Sequence, residues 1–235
     1  MYILLLLVIH WYTSLFFQTI YLHRYSSHNM FKLPFWLDRV FYFCTFLTQG
    51  ASFLNPKVYA VMHLEHHKHS DTEEDPHSPI FSKDAFRMMT KTYKHYLNIL
   101  ENIDSYNLKI KDWKSLDKFA DSWITRIIFG FIYFQIYTLL VTDSWQYIFL
   151  PIHFIIGPIQ GAIVNWCGHK YGYRNFKLSD NSKNTLPIDF LLMGELYQNN
   201  HHQYPQNLNF KSKWYEIDFG YLMLLPLLLI IPSKK

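Results

Sequence analysis

Eight histidines fall into four short clusters whose spacing suits a metal site. His63, His66 and His67 stand at i, i+3 and i+4 in HLEHH. On an α-helix they project within about 60° of one another. His23 and His28 bound HRYSSH, His169 lies in NWCGHKYG, and His201 and His202 close GELYQNNHH. Neutral imidazole is a good nitrogen ligand for iron, zinc or copper. Eight such ligands exceed the four of a structural zinc site and suit two metals sharing a cavity. A solvated polar edge accounts for one such cluster, not for four on one face. A zinc protease needs His-Glu-x-x-His. Here Leu64 follows His63 and Glu65 comes one place late, so that chemistry is excluded. A carboxylate-bridged di-iron bundle needs Glu-x-x-His pairs on two helices, and the apolar runs contain none.

Four distant clusters need a scaffold, and the composition says which kind. Of 235 residues, half are hydrophobic and 19% are aromatic. Mean hydropathy is near zero because long apolar runs alternate with strongly polar stretches. That pattern belongs to an integral membrane protein. Residues 1–22, 123–141 and 145–166 are apolar for about the 20 residues a crossing helix needs. The first run lacks a basic leader and a small-residue cleavage site, so it reads as a retained helix rather than a signal peptide. Residues 35–54 contain Asp38 and Arg39, and residues 219–232 are too short to cross.

Charge and parity agree on the topology. Eight Lys or Arg lie between residues 83 and 118, which places that loop in the cytoplasm. If all clusters share one site, the chain between them crosses an even number of times. Residues 33–54 cannot cross twice, so 35–54 is a non-spanning interfacial or re-entrant segment. The expected fold is therefore an all-α integral membrane protein of one domain, residues 1–235. It has about three transmembrane helices and a cytosolic His-rich helical cap from residues 23–32, 55–118 and 167–218. No Lys/Arg run carries interleaved aromatics, so nucleic acid is excluded as a partner. Cys44 and Cys167 form neither a disulfide framework nor a thiolate site.

The remaining histidines have quieter roles. His10 and His153, inside spans, read as hydrogen-bonded core residues, and His95 reads as solvated. His69 and His77 read as loop-fixing residues. Asp71, Glu73, Glu74 and Asp75 are placed to orient ligating imidazoles. Tyr59, one turn before His63, is a candidate substrate contact.

In combination these motifs resemble the membrane fatty acid desaturases, specifically the acyl-CoA (stearoyl-CoA type) branch in a short bacterial form. HRYSSH matches the family's H-x(4)-H box. HLEHH, followed by Asp75-Pro76-His77, matches H-x-x-H-H. NWCGHKYG matches Asn-x(3)-His-x-Tyr-Gly, and GELYQNNHH matches the third box, with Gln198 where a histidine normally stands. The resemblance implies two iron ions held by His23, His28, His63, His66, His67, His169, His201 and His202. It implies weak or water-mediated metal contacts from Asn165 and Gln198. It also implies O2-dependent insertion of a cis double bond into a saturated acyl chain, with the ninth carbon as the family default and acyl-CoA favoured over acyl-lipid as carrier. No His-Pro-Gly-Gly haem motif is present, so electrons are expected from a separate ferredoxin, rubredoxin or cytochrome b5 type protein. The expected location is a bacterial inner membrane, with the His boxes cytosolic. A lipid or alkane hydroxylase shares the first hydrogen abstraction and remains an alternative. A metal-ion transporter or sensor is a second one, but it wants ionisable residues along a mid-membrane path, and the spans offer few beyond His10 and His153.

Overall fold

A computed structural model describes residues 1–106, 110 and 112–231. Lys109 and Lys111 of the basic loop and Pro232 of the last apolar run lie outside the described residues. Among the described residues there are helices and isolated β-bridges, with no extended strand.

Helix α1 (Tyr2–Phe17) runs without a break into a π-helical segment, Gln18–Ser27. The join lies where apolar sequence gives way to the first His cluster. Bonding shifts there from i→i+4 to i→i+5: the His28 N–H reaches the His23 carbonyl at 3.1 Å. Such windings are rare and concentrate at functional sites. Helix α2 (Phe35–Gln49) has 15 residues and starts after Pro34. It ends because Gly50 takes φ +51, and a Cβ there would collide with the Tyr133 hydroxyl. Its two charges are internal ties. Asp38 is buried and accepts from the Tyr21 hydroxyl at 3.0 Å. Arg39 donates to the Asp112 carbonyl at 2.9 Å.

Helix α3 (Pro56–His69) has Asn55 as its cap, accepting from the Lys57 and Val58 N–H groups, and Pro56 in its first turn. It packs along the π segment. Helix α4 (Ala85–Glu101) starts at an Asp84 cap and buries Met88, Thr92, Tyr96 and Ile99, a helical stripe. Helix α5 (Lys114–Ala120) precedes α6 (Trp123–Leu140), which has a Ser122 cap. Helices α7 (Leu150–Phe154) and α8 (Ile156–Lys170) meet at a 72° bend. Pro158 explains the break. It has no N–H for a carbonyl of the preceding turn, so it belongs in the first turn of a new helix. Helix α9 (Gln198–Gln203) is short, and α10 (Phe219–Ile230) begins at an Asp218 cap.

Among the described residues two helices are long and apolar enough to cross a membrane, Tyr2–Ser27 and Trp123–Leu140. The bent pair Ser144–Phe154 and Ile156–Lys170 makes a third if taken as one span. The core below the His clusters gathers Ile20, Tyr21 and Leu22 of the π segment with Tyr42, Phe46, Phe53 and Leu224.

His10 and His153 are linked as expected of core residues. Their Nδ1 atoms lie 2.7 Å apart, His10 Nε2 is 2.8 Å from the Thr48 carbonyl, and His153 Nε2 is 2.9 Å from the Tyr137 hydroxyl. With both rings neutral, only one arrangement of protons satisfies all three contacts. The carbonyl can only accept, so His10 donates to it through Nε2. His10 Nδ1 then accepts from His153 Nδ1, and Tyr137 donates to His153 Nε2. Helices α1, α2, α6 and α7 are tied by this chain. Cys44 and Cys167 are half-buried free thiols.

Candidate metal centre

All eight histidines converge, and they divide into two groups. His23, His28, His63, His67 and His201 form one, and His66, His169 and His202 form the other. The i, i+3, i+4 triplet on α3 is therefore split: His63 and His67 face one group and His66 the other. Helix α9 does the same with its adjacent pair. The rings of His67 and His202 are 4.6 Å apart, so the groups adjoin.

Winding brings His23 and His28 together. Five residues apart on an α-helix, they would diverge by about 140°. On the π segment, i→i+5 bonding places one roughly a turn above the other, and their ring centroids are 5.0 Å apart. In this five-histidine group the Nε2 atoms point at one another. His28 and His63 are 2.7 Å apart, and His23–His201, His63–His67 and His67–His201 are each 3.0 Å apart. Burial, then the neighbouring imidazoles, holds His63, His67 and His201 well below the usual histidine range. Neutral rings with lone pairs turned inward are what a metal cation needs.

The three-histidine group is more explicit. Each Nδ1 is spoken for by a carboxylate: His66 by Asp75 at 3.0 Å, His169 by Asp71 at 2.9 Å and His202 by Asp180 at 2.9 Å. Each Nε2 is buried without a partner. The carboxylates fix the Nδ1–H tautomer, which leaves three Nε2 lone pairs aimed at a common point. The donor set fits a metal ion in both groups. Burial alone would raise the Asp75 and Asp180 carboxyls. Hydrogen bonds from His66 and His202 outweigh it and bring both below the usual carboxylate range. Asp71 sits at φ +57, tolerable for aspartate. There it accepts from His169, the Asn181 N–H and the Ser78 hydroxyl.

A buried ion cluster braces the five-histidine side. Arg24, with no exposed surface, pairs with Asp218 through two contacts of 2.9 and 3.1 Å and with Glu195 at 2.9 Å. It also stacks 3.9 Å over the Phe210 ring. Glu195 in turn lies 2.5 Å from His23 Nδ1. Thr19 bridges the Arg24 guanidinium and the Glu195 carboxylate.

A cavity of about 670 Å³ reaches this centre. His23, His63, Glu195, Asn165 and Gln198 line its inner end, and Tyr59 lies along it, its ring stacked on His63 at 6.0 Å. Gln198 belongs to neither His group. Its amide nitrogen donates to the Glu195 carbonyl at 2.7 Å, and its side chain packs against Gly168. The Asn165 amide nitrogen donates to the Gly161 carbonyl at 3.0 Å. His77 stands outside both groups, 5.3 Å from the His66 ring, with its backbone N–H on Asp75. His69 pairs with Glu74 at 2.7 Å. His95, expected to be solvated, instead contacts Glu65 at 2.6 Å. The orienting carboxylates Asp71 and Asp75 were foreseeable from their place beside HLEHH. Asp180 and Glu195 were not: one sits in an ordinary polar loop, and the other reads as part of a box rather than as a partner of His23.

Replacing Asp75 with asparagine keeps the shape but removes the charge that holds the His66 tautomer. Metal affinity is expected to fall about 10–100-fold, read by competition with a chelator of known strength. Glu73→Gln, at a position whose side chain makes no contact with the ligands, serves as the control.

Comparison with known proteins gives one consistent answer. The family model "Fatty acid desaturase" matches residues 1–227. Over 214 residues the chain is 30% identical to the Delta-9 desaturase-like 5 protein of Arabidopsis thaliana, covering 86% of this chain and 66% of that one. It is 28% identical over 220 residues to the sn-1 stearoyl-lipid 9-desaturase of Anabaena variabilis, covering 92% and 76%. It is 24% identical over 244 residues to the hex-5-enoyl-[acyl-carrier protein] acetylenase of Moorena producens, covering 93% and 72%. The chain thus spans about two thirds to three quarters of the length of these relatives.

Proposed function

Since the chain belongs to the fatty acid desaturase family, we propose that it is an O2-dependent, iron-containing membrane desaturase that places a cis double bond in a saturated acyl chain. One observation carries the reading: eight inward-facing histidines stand in two groups, and two of them, His23 and His63, open onto a cavity lined mostly by apolar residues. His23, His28, His63, His67 and His201 would hold one iron. His66, His169 and His202 would hold the second, and Asn165 and Gln198 would offer weak or water-mediated contacts. Bound iron supplies the oxidising power that an unactivated C–H bond demands.

The chain's own residues do the rest. The cavity walls exclude water and fix one carbon pair beside the centre. On α8, Gly157, Pro158, Gly161, Val164 and Asn165 form the wall facing the chain. Nothing stands within 4 Å of a Cβ built on Gly161, so this residue sets the bore. Gly161→Phe is expected to cut monounsaturated product roughly a hundredfold by displacing the reacting carbons. Its iron content should match wild type, and Gly161→Ala should change little. Gas chromatography–mass spectrometry and metal analysis read both.

The acyl carrier most consistent with the cavity is a membrane lipid rather than CoA. The rim is built of exposed apolar residues: Phe86, Tyr93, Trp123, Ile127 and Ile155. Two of the three Lys/Arg residues of α4 are engaged elsewhere, and the third, Lys94, is exposed. Lys91 donates to the Glu73 and Asp75 carbonyls, and Arg87 pairs with Asp84. The Anabaena relative is named for a stearoyl lipid, which supports the same carrier. Large apolar side chains cover the outside of α1 and α6, among them Leu4, Leu5, Ile124 and Phe131. These helices and the bent pair serve as spans, with the His cap on the cytosolic side of an inner membrane.

The test is the fatty-acid profile of cells making the protein together with a ferredoxin system, beside metal analysis of the purified chain. A new monounsaturated acid and two irons per chain are expected. A hydroxylated product would move the reading to a hydroxylase, and zinc or no metal would overturn it.

A further inference from the structure

Over the metal centre, residues 170–177 and 211–216 form a surface whose exposed charge has one sign. Arg174, Lys177, Lys211 and Lys213 are exposed. The carboxylates of the neighbouring chain are turned inside: Asp189, Glu195, Glu216 and Asp218 are buried, and Asp180 is held by Ser182 and His202. Among these cations stands Trp214, 88% exposed, with Tyr215 at its edge. Tryptophan, tyrosine and arginine are the side chains enriched at the centres of protein–protein interfaces.

The surface is braced from beneath. Glu216 accepts from the Tyr173 hydroxyl at 2.6 Å, the Asn175 amide at 2.7 Å, and the Ser212 and Lys213 N–H groups at 2.6 and 2.8 Å. Asn199 accepts from the Asn175 and Phe176 N–H groups, both at 2.8 Å. Both segments are thereby fixed to α9, which carries His201 and His202. The path inward is short. Phe210, next to Lys211, is buried with its ring 4.6 Å from His201 and 5.5 Å from His23.

We propose that this basic, tryptophan-centred surface is the docking site of a small acidic one-electron carrier protein. The proposal rests on the desaturase reading, which requires an outside reductant. Two reduced carriers each give up one electron and are oxidised. With two protons from solvent, these electrons join the two hydrogens leaving the acyl chain, and one O2 becomes two waters as the double bond forms. Charge complementarity steers such an encounter, and an exposed tryptophan supplies the contact that holds it. A lipid headgroup is the competing occupant, because Trp214 precedes α10. The protein carrier is favoured because Arg174 and Lys177 extend the patch along a segment bonded to α9 rather than to α10.

The experiment uses iron-loaded protein in detergent and measures binding to a plant-type [2Fe–2S] ferredoxin and to soluble cytochrome b5 by surface plasmon resonance. Wild type is expected to bind one of them, more weakly as salt rises. The Lys177→Glu/Lys213→Glu double variant should lose about tenfold or more in affinity, Trp214→Ala should also weaken, and Lys177→Arg/Lys213→Arg should restore binding. Failure of wild type to bind either carrier, or unchanged affinity in the charge-reversed chain, would overturn the proposal. So would strong Trp214-dependent quenching by brominated lipid in nanodiscs, which would give the patch to headgroups. Iron is counted in every preparation. Two irons with no carrier binding sinks the docking site alone, whereas a chain without iron sinks the desaturase reading beneath it.

Discussion

A His202→Ala chain is expected to carry one iron instead of two, and its host's saturated acids should stay saturated. The three-histidine group has no ligand to spare. His66, His169 and His202 each present one buried Nε2 without a partner, and removing one leaves a two-coordinate site. The five-histidine group keeps its set, because His202 belongs to the other side of α9. Stoichiometry therefore separates the two groups: about one iron by plasma emission spectrometry, with product below detection by gas chromatography–mass spectrometry. His69→Ala, at an exposed pair with Glu74, should keep both irons and full product. Two irons in His202→Ala would mean that the grouping is wrong.

The largest loss of stability is expected from Arg24→Ala. Arg24 neutralises Glu195 and Asp218, both buried. Truncation leaves two carboxylates without their cation, and removing one partner of a buried ion cluster costs roughly 3–5 kcal/mol. The loss reaches the metal centre, because the same Glu195 contacts His23. It also frees Phe210, which stacks under the guanidinium and against His201. The variant should melt at markedly lower temperature when followed by size-exclusion in detergent, and should bind less than one iron. Arg24→Lys should recover only part of this, since one ammonium cannot also replace the Nη1 contact to Glu195 and the Nε contact to the Leu208 carbonyl. Wild-type melting in Arg24→Ala would show that the cluster is not a brace.

Much of the site was legible because ligand chemistry is local in sequence. HLEHH and the adjacent pair at 201–202 announce imidazoles at helical spacing, and Asp71 and Asp75 stand within a turn or two of them. Three things were not legible. The division into five and three depends on how α3 and α9 are rotated against each other, which no spacing reveals. Asp180 reaches His202 through a fold contact, and nothing in its neighbourhood marks it. His95 looked solvated because it lies in a basic stretch, yet α4 turns it toward Glu65 on α3. Of the scaffold, the apolar runs were plain. Asp38 and Arg39 were read as signs that residues 35–54 do not cross; in the fold α2 has 15 residues, and Asp38 is buried against Tyr21 rather than drawn toward water.

The π segment has a consequence for how this chain compares with others residue by residue. A wider turn is one residue longer than an α turn, so the four residues between His23 and His28 include a one-residue insertion held in register by its own bonding. Substitutions inside the segment leave the count, and so the winding, unchanged. A deletion acts differently. Loss of Ser26 would leave the two histidines four apart, still on one face if the helix tightens. Everything after it, from Met30 into α2, would then be rotated and pulled back by a residue. A gap placed in the first box, harmless as a string edit, therefore changes the path of the chain below the metals.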